Sequence, residues 1–101
     1  MTHPLIPRLR AARVVPVIRT STAARAATAV AWLQEAGVKV VEITLTVPDA
    51  PAVIRALAAD GDLLVGAGTV PDAAAARACL EAGARFIVAP WVDATLRAVC
   101  D

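Results

Sequence analysis

The chain has 101 residues, enough for one modest domain, and its 58% hydrophobic and 19% charged content excludes disorder. Its net charge of +1, with the arginines scattered singly, leaves no basic block for nucleic acid or an anionic membrane. Mean hydropathy is +0.66, but Arg, Gln, Glu or Gly breaks every apolar run before bilayer length, so the value reflects abundant Ala and Val and predicts no membrane span.

Residues 1–13 read as an N-terminal tail or helix. The first β-branched run is Val14-Val15-Pro16-Val17-Ile18. Thr20 and Ser21 are then placed to cap a helix that runs through Ala36, with Gly37 as the left-handed residue ending it. Ala26, Val30, Leu33 and Gly37 form one stripe on that helix. The second run, Val38 to Leu45, leads into a helix start at Pro48-Asp49, and the helix closes at Asp60-Gly61. Leu63-Leu64-Val65 continues into Gly66-Ala67-Gly68-Thr69-Val70. Asp72 caps the next helix, which stops at Ala82-Gly83. Phe86-Ile87-Val88-Ala89 is the fourth run, and Asp93 caps a final helix.

The runs start at intervals of 24, 25 and 23 residues, with alanine-rich stretches of helical length between them. Strand–helix–strand units of this size need a parallel sheet with right-handed crossovers. A short, even repeat favours a (β/α) TIM-type barrel over an open, flavodoxin-like sheet. Eight such units would total about 190–200 residues, the low end for such a barrel. The expectation for residues 14–101 is therefore an α/β half-barrel of four βα units.

In parallel α/β folds the reacting groups collect where strands end. Here the strand ends offer Arg19, then Glu42 and Thr44, then Gly68 and Thr69, then Pro90. Glu42 interrupts an apolar run. Alternation puts Val40, Glu42 and Thr44 on one strand face, and Val41, Ile43 and Leu45 on the other. The wholly apolar side belongs against helices, so Glu42 and Thr44 are expected to face inward. A carboxylate there is a general acid/base or a buried structural glutamate; spacing does not choose between them. By themselves Arg19 reads as a surface arginine, Thr69 as a strand end, and Trp32 and Trp91 as packing residues. The Gly-x-Gly-Thr stretch lacks the further glycine of a dinucleotide fingerprint. Cys79 and Cys100 fall in helices and His3 in the tail, so no metal site is expected. Two reduced cysteines and no secretory signal fit the cytoplasm.

Together these segments resemble the family of 2-keto-3-deoxy-6-phosphogluconate (KDPG) and 4-hydroxy-2-oxoglutarate (KHG) aldolases. The matching stretches are Val14–Arg19, Val41–Thr46, Val65–Val70 and Ala82–Pro90, in the family's order and spacing. The resemblance implies strand order 1-2-3-4, which argues against the flavodoxin-like sheet. It also implies a class I lyase that cleaves a 2-keto-4-hydroxy acid to pyruvate and an aldehyde, with neither metal nor cofactor. A glutamate on strand two shuttles protons, and Glu42 matches it. Thr69, with Gly68 before it, matches the threonine that holds the pyruvoyl carboxylate. Thr44 joins the substrate-binding set. Pro90 matches a proline near the substrate, although Trp91 follows it where many relatives have glycine. The carboxylate-binding arginine stands at the end of strand one in some members, as Arg19 does here; others carry it where this chain has Thr46.

The family's Schiff-base lysine lies on strand six, and this sequence is expected to stop before strand five. Its one lysine, Lys39, is at the start of strand two on the face opposite Glu42. The resemblance thus implies a partial active site with no covalent nucleophile and no activity alone. An uncovered inner face, with Val17, Val40 and Val65 among its residues, would invite a homo-oligomer or a complementing second half. The competing reading is a non-catalytic half-barrel that binds a small keto acid or serves as an assembly module.

Overall fold

The computed structural model describes residues 3–101. The order of elements is α1 (Leu5–Ala12), β1 (Val17–Ile18), α2 (Ala23–Glu35), β2 (Val40–Thr44), α3 (Ala50–Ala58), β3 (Leu64–Gly68), α4 (Ala73–Ala82) and α5 (Ala94–Cys100). The strands form a three-stranded parallel sheet in the order β1-β2-β3. The expected half-barrel of four strands in order 1-2-3-4 is therefore overturned.

Two prolines account for much of the difference. Pro16 has no N–H to give a ladder; it only accepts, taking the Glu42 N–H at 2.9 Å, and β1 shrinks to two residues. The fourth run does lie beside β3, but it forms one isolated bridge, Ala67 to Ile87. That rung consists of Ala67 N–H donating to Phe86 O at 3.0 Å and Val88 N–H donating to Ala67 O at 2.8 Å. The next rung towards the strand ends would require an N–H from Pro90, which has none. At the other end Arg85, rather than Phe86, donates to Val65 O, so the regular spacing is lost.

Local chemistry sets the helix ends. Thr22, one residue past the expected Ser21, caps α2 by accepting the Arg25 N–H at 3.1 Å. Asp72 and Asp93 cap α4 and α5 through their side chains. Asp49 precedes α3 without a side-chain cap, and Pro51 occupies the first turn, where its missing N–H costs nothing. At the C-terminus of α2, Gly37 (φ 94°) donates to Gln34 O and Val38 donates to Leu33 O. Gly83 (φ 113°) and Ala84 repeat that paired closure after α4.

Strand register divides the sheet into two faces. Ile18, Val41, Ile43, Val65 and Ala67 share one face and join Val30, Ile54, Val70 and Cys79 in the core beneath α2, α3 and α4. A fully buried Val, Leu or Ile contributes roughly 1.5–3 kcal/mol, far more than the alanines that dominate the helices, so the strand residues anchor this layer. The opposite face carries Val17, Val40, Glu42, Thr44, Leu64, Gly66 and Gly68. Of the three valines expected to be uncovered, only Val17 is exposed; Val40 is buried, and Val65 is buried on the helical side. Among the described residues no helix is long and apolar enough to cross a membrane.

Candidate active site

Glu42 sits mid-strand in β2, opposite Val17 of β1 and Gly66 of β3. It is 8% exposed, and its carboxylate lies directly over Gly68, so that a methyl group built there would overlap it. Phe86 lies over Gly66 on the same face in the same way and walls that side of the carboxylate. Glu42 makes no hydrogen bond to another described residue, yet no buried side-chain oxygen is left unpartnered among them, so its oxygens keep some contact with solvent. Burial pushes its carboxyl above the ordinary carboxylate range, and the Arg19 guanidinium opposes that shift without cancelling it.

Arg19 follows β1 and is exposed. Its Nη2 donates to Thr69 Oγ1 across 3.4 Å. Thr69 has φ 57°, a left-handed conformation that costs a β-branched residue roughly 1–2 kcal/mol. This turn at the end of β3 brings the Thr69 hydroxyl to the guanidinium. Arg19 and Thr69 thus meet beyond the C-terminal ends of β1 and β3, and Glu42, from the middle of β2, reaches over Gly68 towards them.

Thr44 shares the face of Glu42, but it is completely buried, and its hydroxyl is engaged with Ile18 O at 3.2 Å and Thr46 Oγ1 at 2.7 Å. Pro90 is exposed at the end of the fourth segment and bonds to none of the other site residues. Thr46 and Phe86 were not among the expected site residues. Thr46 was signalled only as a second hydroxyl two positions after Thr44, and it lies in the turn that follows β2; Phe86 was signalled only by a glycine in mid-strand, which marks a close approach.

Lys39 immediately precedes β2, roughly 10 Å along the strand from Glu42. With Arg8 it lines a cavity of about 370 Å³ between α1 and the start of β2, at the other end of the sheet. Among the described residues no three His, Cys, Asp or Glu side chains converge as metal ligands.

Chemically, the cluster sets a carboxyl whose hold on its proton is strengthened by burial beside a guanidinium and a hydroxyl, groups of the kind that pair with a carboxylate. A family model for KDPG and KHG aldolase matches residues 5–101. The structure is similar to that of the 2-keto-3-deoxy-6-phosphogluconate aldolase of Zymomonas mobilis with 3-phosphoglycerate, at 33% identity and a TM-score of 0.81, over 92% of this chain and 44% of that one. It is also similar to the KDPG aldolase of Legionella pneumophila with pyruvate captured as a covalent carbinolamine, at 31% identity and a TM-score of 0.75, over 84% of this chain and 42% of that one. The chain thus spans less than half the length of either structure. No curated protein matches it.

Proposed function

The chain belongs to the KDPG and KHG aldolase family, and from that membership we propose that it supplies the proton-transfer and carboxylate-binding part of a pyruvate-forming aldolase site. The substrate is a 2-keto-4-hydroxy acid, of the KDPG or 4-hydroxyoxoglutarate type. Arg19 and Thr69 hold its carboxylate, and Gly68 leaves the room in which Glu42 stands beside them. Pro90 would border the same substrate.

Class I chemistry needs an amine that adds to the keto carbon, because the resulting enamine holds the electrons of the broken bond. Glu42 protonates the departing hydroxyl as the carbinolamine collapses, then takes the proton of the substrate's C4 hydroxyl as the C3–C4 bond breaks and the aldehyde leaves. The carbinolamine held by the Legionella relative is the step at which this role begins. Lys39 is too far along β2 to be that amine, so the nucleophile comes from outside these 101 residues. No residue of the proposed mechanism calls for a cofactor.

The observation that carries this reading is the buried, unbonded Glu42 carboxyl beside the Arg19–Thr69 pair. Its test is treatment with pyruvate and borohydride, alongside a pyruvate titration. The chain alone is expected to bind pyruvate with contacts to Arg19 and Thr69 and to form no covalent adduct. An adduct on Lys39, or no pyruvate binding at all, would overturn it.

A further inference from the structure

Thr44 ends β2 on the open face of the sheet, Thr46 follows in the turn beyond it, and their hydroxyls are 2.7 Å apart. Thr44 has one hydroxyl proton, which it donates to Ile18 O at 3.2 Å. The proton between the two threonines is therefore that of Thr46. A directed chain results, from the exposed Thr46 hydroxyl to the buried Thr44 hydroxyl to the Ile18 carbonyl. The Ile18 carbonyl belongs to the peptide group that also carries the Arg19 nitrogen, so whatever fixes that plane fixes the direction in which the Arg19 side chain leaves the backbone.

The hydroxyl reinforces the last rung of a short ladder: the Ile18–Ile43 pairing already gives Ile18 O the Thr44 backbone N–H, and the Thr44 hydroxyl is its second donor. β1 is only two residues long, and Arg19 lies beyond its end. Among the described residues the guanidinium tip has one side-chain hydrogen bond, the long one to Thr69. Thr44 itself is fully buried and has spent its proton on the backbone, so it has none to give a ligand.

We infer that Thr44 is a positioning residue: with Thr46 behind it, its hydroxyl fixes the Ile18–Arg19 peptide and thereby aims the guanidinium at a ligand carboxylate. This rests on the carboxylate-binding role given to Arg19 above, and its experiment separates the two.

Thr44→Val keeps the shape and removes the hydroxyl, Thr44→Ser keeps the hydroxyl, and Thr46→Val cuts the chain at its exposed end. Each is followed by the Arg19 Nε–Hε resonance without ligand and then through a pyruvate titration. Thr44→Val is expected to shift or broaden that resonance and to weaken pyruvate binding about three- to tenfold, the effect of one lost neutral hydrogen bond. Thr44→Ser should restore both to within about twofold of the unsubstituted chain, with Thr46→Val falling between. An Arg19 resonance indifferent to Thr44→Val would overturn the inference, as would a serine variant as impaired as the valine one. If the unsubstituted chain bound no pyruvate, the functional reading would fail, and the ligand-free resonance would still decide the positioning role.

Discussion

The carboxyl of Glu42 occupies space that only a glycine at position 68 leaves open. Gly68→Ala should therefore displace the carboxylate or push apart β2 and β3, at a cost of about 1–3 kcal/mol, the range for overpacking a close-fitted site. Gly61 offers a control, because a methyl there meets nothing within 4 Å. Gly61→Ala should be neutral or slightly stabilising. Urea midpoints of the two variants check the contrast, and equal effects would contradict the placement of Glu42.

Titration of Glu42 also carries a sign. Its carboxyl is raised in the folded chain above the ordinary 4.5, so the native state holds this proton more tightly than the unfolded state does. The contribution is fully present below the unfolded value and is lost as pH climbs through the raised native value. Glu42→Gln removes that dependence. Melting temperatures from acid to neutral pH should show the unsubstituted chain losing ground to Glu42→Gln as pH rises; parallel curves would argue against a raised carboxyl.

Among the elements, α2 gives a direct test of its start. Thr22→Ala should cost about 1 kcal/mol, the usual loss for a side-chain cap, whereas Ser21→Ala should stay within about 0.5 kcal/mol. Chemical denaturation of the pair distinguishes the observed cap from the one expected from sequence. Other starts were readable directly: Asp72 and Asp93 each precede an alanine-rich run, and each accepts a backbone N–H there. β2 and β3 were readable from their apolar runs, and period-two alternation put Glu42 on the correct face. Sequence pattern could not show where pairing would stop. Val14 and Phe86 both head β-branched runs, but a run says nothing of whether its partner has an N–H in register, and Pro16 and Pro90 decide that point. The Thr44 hydroxyl was similarly hidden: alternation supplied its face, while its partner, Ile18 O, is 26 residues away.

For the molecule as a whole, the decisive feature is how much apolar side chain remains outside the core. Val14, Val17, Trp32, Val88, Trp91 and Val92 are all exposed, Val92 completely. Val17 is on the open face of the sheet, in the edge strand β1, whose outer side pairs with no strand among the described residues. The 101-residue chain should therefore associate as concentration rises, which sedimentation velocity over a dilution series would detect. A single slow species throughout would count against this.

The lone rung at Ala67 and Ile87 has a consequence for the order in which the molecule comes apart. α4 is held in the core by Ala76 and Cys79, but the segment after it is hydrogen-bonded to the sheet by that rung and its few flanking bonds, and α5 reaches the remainder mainly through α4. The C-terminal segment is thus hinged like a cover fastened by a single clasp, and deuterium should enter at Val88 well before it reaches Ile43 in the middle of the sheet.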